Sequence, residues 1–166
     1  MRVIGLAGWS GAGKTTLLRR LIPVLVGQGL RVSTLKHAHH GFDVDQPGKD
    51  SWEHRQAGAQ EVLVASANRW ALMHELRGDA EPDLTDLLAK LSPADLVLIE
   101  GFKRGGHPKL EVFRALNNKP LIHVNDPSVV AMASDAPMPG LGLPWMHLDD
   151  IPAIAAAVQA HAVQVG

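Results

Sequence analysis

The stretch Gly8-Trp9-Ser10-Gly11-Ala12-Gly13-Lys14-Thr15-Thr16 constrains this chain more than any other. It follows an apolar run, Val3-Ile4-Gly5-Leu6-Ala7, that reads as a short buried strand. It precedes Leu17-Leu18-Arg19-Arg20-Leu21-Ile22, whose apolar spacing is helical. The pattern G-x-x-x-x-G-K-[ST] is met at Gly8, Gly13, Lys14 and Thr15, in the strand–loop–helix setting that the motif requires. Gly8, Gly11 and Gly13 let the backbone curl until successive N–H groups point at one anion. The helix beginning near Lys14 adds its unpaired N–H groups and the positive end of its dipole. Lys14 supplies a point charge for the β- and γ-phosphates, and the Thr15 hydroxyl suits Mg²⁺. Ser10, Ala12 and Thr16 belong to the same phosphate-binding loop. This is a nucleotide-binding P-loop.

The helix from Lys14 ends near Gly27 or Gly29, and Arg31 to Lys36 is a second strand, so the unit predicts a parallel pair with a right-handed crossover. The segment from Lys36 to Ser51 is polar and rich in turn residues, at the carboxyl end of a strand, where open parallel sheets bind ligands. Asp43 and Asp45 are hard oxygen ligands for Mg²⁺, with Asp45 favoured. His37, His39 and His40 cluster there without a fourth ligand at a zinc-site spacing, so they read as solvated or phosphate-facing. A short helix from Ser51 to Ala57 closes at Gly58. Strands at Glu61–Ser66 and Arg69–Glu75, separated by Ala67 and Asn68, predict a hairpin that brings antiparallel pairing into the sheet. Trp70 reads as packing on that hairpin, with an anchor for a second subunit as the alternative. An amphipathic helix is expected over Asp83 to Leu91.

Leu96-Val97-Leu98-Ile99-Glu100 is the second chemical constellation: a buried strand whose end delivers a carboxylate beside the P-loop, the usual Mg²⁺ contact. Thr15, Glu100 and Asp45 are therefore expected to converge on one metal ion. Lys103 and Arg104 follow in a Gly105-Gly106 loop, with Lys103 placed to reach phosphate. Further strands are expected at Lys109–Arg114, Pro120–Val124, Val129–Ala133 and Trp145–Leu148. A closing helix over Ile151 to Val163 has Asp149 and Asp150 as cap candidates. The expected fold is α/β, a three-layer P-loop NTPase with a mainly parallel sheet and an antiparallel hairpin, built as a single domain over residues 1–166.

Composition excludes several partners. Sixteen basic against 17 acidic residues, with no basic block, argue against nucleic acid. The absence of cysteine removes disulfides and thiolate metal sites. No apolar run reaches the ~18 residues of a membrane span, and the N-terminus enters a strand at once, so a cytoplasmic protein with no membrane partner is expected.

Beyond the P-loop, Lys36-His37-Ala38-His39-His40, Asp43-Val44-Asp45-Gln46-Pro47-Gly48-Lys49-Asp50-Ser51, Ala57-Gly58-Ala59, Arg69-Trp70-Ala71-Leu72-Met73, Glu100-Gly101-Phe102-Lys103 and Ala133-Ser134-Asp135 closely resemble the molybdopterin-guanine dinucleotide biosynthesis adaptor family. The resemblance covers nearly the whole chain. It implies a GTP-binding homodimer in molybdenum cofactor maturation. Such a protein assists the molybdopterin-guanylyl transferase enzyme that attaches GMP to molybdopterin, and is at most a slow GTPase. The rival reading is a small-molecule P-loop kinase, which would need a mobile lid with several arginines. Three departures qualify the GTPase reading. Trp9 stands where the wider dimeric P-loop class often carries a lysine that reaches across the dimer. Asn118-Lys119-Pro120-Leu121 lacks the aspartate of the usual guanine-reading motif, so Asp135, after the strand Val129–Ala133, is the expected guanine reader. No arginine finger or general base stands out.

Overall fold

In this computed structural model, which describes residues 1–38, 41–102 and 105–165, the chain divides into two compact units. One comprises Met1–His37 and Leu87–Gly166, the other Ala38–Asp86.

The larger unit is organised on β1 (Arg2–Ala7), which leads through the P-loop into α1 (Lys14–Gly27) and then β2 (Val32–Lys36). The strand β5 (Leu96–Glu100) lies between β2 and β1, parallel to both. On the other side of β1 follow β6 (Lys109–Phe113), β7 (Val129–Ser134) and β8 (Trp145–His147), all parallel. The strand β9 (Val163–Gln164), which apolar periodicity does not foresee, pairs antiparallel with Arg2 and Val3. It takes the stretch of β1's edge that β6 leaves open, since β6 pairs only from Gly5 onward.

Register assigns the faces. Ile4, Leu6, Leu96, Leu98, Leu110 and Val112 share one face and pack with Leu17, Leu21 and Leu25 of α1 and with Ile154, Ala155 and Val158 of α4 (Ile151–His161). The four-residue spacing along α1 is the helical stripe that its sequence displays. Each such leucine contributes roughly 1.5–3 kcal/mol of burial. The N-cap of α4 is Asp150, whose Oδ1 accepts from the Ala153 N–H at 3.1 Å.

The opposite face carries two charged residues in the sheet, Lys109 (2% exposed) and Glu111 (1% exposed). Each is fully engaged, as burial of a charge demands. Lys109 Nζ donates to Gly105 O (2.6 Å), Ser128 Oγ (2.5 Å) and Asp126 Oδ2 (3.2 Å). Glu111 accepts the backbone N–H groups of Ile122 (2.7 Å) and His123 (2.9 Å). That capture explains why the expected strand at Pro120–Val124 does not form. Pro120 has no N–H, and the donors of Ile122 and His123 are spent on a carboxylate, so the segment is a turn.

In the smaller unit, α2 (Asp50–Gln56) precedes β3 (Glu61–Ala65) and β4 (Trp70–His74), joined as an antiparallel hairpin. The hairpin is a two-stranded sheet of its own and does not enter the large sheet, contrary to the sequence-based expectation. The helix α3 (Leu84–Leu88) is shorter than expected and opens with Asp83 and Asp86 reciprocally bonding each other's backbone N–H.

Candidate nucleotide-binding site

The P-loop leaves β1 in a backbone that only glycine adopts without strain: φ is 154° at Gly8, 80° at Gly11 and 96° at Gly13. Space as well as torsion requires it. A Cβ on Gly8 would stand 2.6 Å from the Val112 carbonyl oxygen, and one on Gly13 3.1 Å from Arg114 Nε. The C-terminal end of β6 therefore lies along the loop. Asn117 Nδ2 also donates to Ser10 O at 3.4 Å, and Trp9 Nε1 donates to Pro120 O at 2.8 Å. Ala12 is buried, while Ser10, Thr15 and Thr16 are exposed. Lys14 folds back over the loop, its Nζ donating to Gly8 O (2.7 Å) and Trp9 O (3.2 Å). Gly13 caps α1 without a side-chain bond, and no acidic residue lies in the first turn. The helix start thus presents only positive potential.

Glu100 ends β5 in register with Leu6 of β1 and Lys36 of β2, on the face that α1 covers. Thr15 heads α1, which follows β1, and Glu100 ends the strand paired with β1. Among the described residues no group of three His, Asp or Glu side chains is arranged to hold a metal ion. The backbone at this point is unusual. Gly101 has φ 109°, and a Cβ there would lie 2.6 Å from the His37 carbonyl oxygen, while the His37 N–H donates to Glu100 O at 2.8 Å. The His37 and Phe102 rings meet with centroids 4.8 Å apart.

Asp45 has a different environment from the one its sequence context led us to expect. Its carboxylate accepts from Ser51 Oγ (2.8 Å) and Arg55 Nε (3.2 Å) within the smaller unit. Arg55 also holds Asp43 (2.8 Å) and Glu75 (2.7 Å), so one guanidinium gathers three carboxylates. Its hydrogen bonds to Asp43, then Glu75, push its pKa up, and the Arg55 hydrogen bond holds Asp43 below the ordinary carboxylate range. For Asp45, burial works against ionisation, but the bonds from Ser51, Gln46 and Arg55 outweigh it.

Asp135 follows β7 beside the end of β6, where it accepts the Ala115 N–H on Oδ1 at 3.0 Å. Its Oδ2 lies 4.0 Å from Arg114 Nη1. Lys103 and Arg104, and His39 and His40 of the histidine cluster, lie outside the described residues.

On the other face of β1 is a cavity of about 280 Å³ lined by residues that include Gly5, Trp9, Phe102, His107, Leu121 and Asn125. His107 stands in it, its pKa lowered by burial and then by the Lys109 charge, so the ring is neutral near neutrality.

Arg114 and Asn117, which no sequence motif singles out, lie against the P-loop. Their signal is positional: they follow the strand that neighbours the P-loop strand.

The family model for molybdopterin guanine dinucleotide synthesis protein B, MobB, matches residues 3–135. The chain belongs to the MobB family. Among its relatives is the molybdopterin-guanine dinucleotide biosynthesis adapter protein of Escherichia coli K12, 44% identical over 156 residues, which are 92% of this chain and 89% of that one. The Haemophilus influenzae adapter protein is 41% identical over 92% of this chain and 85% of its own length. The crystal structure of Bacillus subtilis MobB superposes with a TM-score of 0.76 at 27% identity, covering 99% of this chain and 100% of that one. The mainly parallel sheet with a separate antiparallel pair is thus the MobB fold. Among the described residues no helix is long and apolar enough to cross a membrane.

Proposed function

We propose that this protein is a GTP-binding adaptor in molybdopterin-guanine dinucleotide synthesis, holding GTP or its product for the enzyme that transfers GMP to molybdopterin. The family membership supports the pathway. The observation that carries nucleotide binding is the P-loop backbone, with positive φ at Gly8, Gly11 and Gly13 and Lys14 folded over it. The backbone N–H groups of Gly11 and of Gly13 to Thr16 bind the phosphates, the Ala12 N–H being held by Trp9 O at 3.1 Å, and Lys14 exchanges its two carbonyl partners for phosphate oxygens. Thr15 and Glu100 would hold Mg²⁺, which when bound neutralises charge on the phosphate oxygens. Asp45 is held by Ser51 and Arg55 within the smaller unit.

Binding, with at most slow hydrolysis, is the chemistry we assign. The hairpin supplies a dimer contact. Leu63 pairs with Leu72 and Ala65 with Trp70 on one face, and Leu63, Trp70 and Leu72 are 62%, 64% and 48% exposed. A two-stranded ribbon with such a face is marginal alone and is stabilised by a second copy. Trp70 is therefore an anchor candidate and not core packing within the chain.

Asp135 is the proposed guanine reader. A carboxylate accepts from N1–H and the exocyclic amine of guanine, whereas adenine turns a bare lone pair toward it. GTP and ATP affinities of the wild type and Asp135→Ala test this. The expected result is a wild-type preference for GTP that the variant loses by roughly one to two decades. An unchanged preference in the variant overturns the assignment.

A further inference from the structure

Arg114 sits one residue beyond β6, and the peptide that follows it is pinned at both its N–H and its carbonyl. The Ala115 N–H is taken by Asp135, and the Asn117 N–H bonds the Arg114 carbonyl at 3.1 Å. From that fixed root the guanidinium lies against Gly13, where a Cβ would be 3.1 Å from Nε and 3.4 Å from Nη2. Gly13 is the cap of α1, so Arg114 stands at the positive end of the helix beside Lys14. Two full cations and a helix N-terminus of about +0.5 charge raise each other's energy. Among the described residues the only carboxylate in ion-pair range of Arg114 is Asp135, at 4.0 Å, too long for a charge-assisted hydrogen bond. Asp149, the other carboxylate whose charge Arg114 feels, is held by Arg20 at 2.6 Å. The side chain is 41% exposed and open to a ligand.

We infer that Arg114 is a phosphate-contacting residue of the P-loop site, reaching the phosphate chain from its place against Gly13. The inference rests on the P-loop binding a nucleoside triphosphate. A planar guanidinium presents two parallel donors to a phosphate, and an anion there reverses the repulsion between the two cations.

Calorimetric titration of Mg-GTP and Mg-tripolyphosphate into wild type, Arg114→Gln, Arg114→Lys and Lys14→Ala tests this. Circular-dichroism melting checks that each variant folds, and Arg114→Lys serves if Arg114→Gln does not. We expect Arg114→Gln to weaken both ligands about ten- to a hundredfold, with Arg114→Lys losing less, and GTP binding to become less sensitive to salt. Weakening of GTP with tripolyphosphate unaffected, and the salt dependence unchanged, would mean contact with the base and overturn the inference. So would wild-type affinity in Arg114→Gln. If Lys14→Ala also binds as wild type, the P-loop reading itself fails; if only Lys14→Ala is impaired, that reading stands and the Arg114 inference falls.

Discussion

At Gly101 one hydrogen atom separates a working strand end from a steric clash. A methyl group there would meet the His37 carbonyl oxygen at 2.6 Å, and φ 109° is strained for any L side chain. Because the His37 N–H is bonded to Glu100 O, the oxygen cannot simply swing away. Gly101→Ala is expected to destabilise the protein by about 1–3 kcal/mol and to displace Glu100. Urea unfolding measures the first, and a denaturation midpoint equal to wild type would refute it. The P-loop residues and Glu100 are legible in the sequence because their chemistry is local: spacing alone sets a turn, a helix start and a strand end. Arg114 is not legible in that way. Its role depends on which strand lies beside β1, and that adjacency is a long-range fact. The same holds for Asp45, whose Arg55 partner lies on the following helix and carries no motif.

Elements were foreseen where one period dominates, as in β1, α1, β5 and β7. They were missed where a tertiary partner decides. Pro120–Val124 reads as a strand by composition, yet Glu111 removes its donors. The two residues of β9 are too short to show any period, and exist because β6 leaves part of β1 unpaired. The hairpin was read with its correct pairing but assigned to the wrong sheet, since alternation specifies a partner strand and not a sheet. Its exposed Leu63–Leu72 and Ala65–Trp70 pairs yield a prediction. Trp70→Glu, or Leu72→Glu, is expected to convert a dimer to monomer, since a desolvated charge would face its own symmetry mate. Sedimentation equilibrium at micromolar concentration reads this directly. A wild type that is already monomeric would remove the hairpin from any role in assembly.

Across the whole molecule, the strand order β2-β5-β1-β6-β7-β8 brings four sequence-distant segments to the carboxyl edge around one loop. The P-loop, Glu100, the β6 end with Arg114, and the β7 end with Asp135 all belong to that edge of the larger unit. The fold class is legible in the P-loop, and the family in the stretches Asp43–Ser51 and Glu-Gly-Phe-Lys, which are far more discriminating than the P-loop itself. How guanine is read was not, because a carboxylate after a strand and a carboxylate holding a turn have the same sequence, and Asp135 does hold a turn.

The central claim is that the loop from Gly8 to Thr16 binds GTP through Lys14. Calorimetric titration of Mg-GTP into wild type and Lys14→Ala, with the thermal midpoint of each protein recorded, tests it most directly. Loss of a charged phosphate contact predicts affinity lower by about ten- to a hundredfold or more, with a midpoint that hardly moves. Saturating GTP, at about 100 times the wild-type Kd, should stabilise the wild type by roughly 2.7 kcal/mol and the variant by only about 0.4–1.4 kcal/mol. Equal affinity in the two proteins would contradict the account.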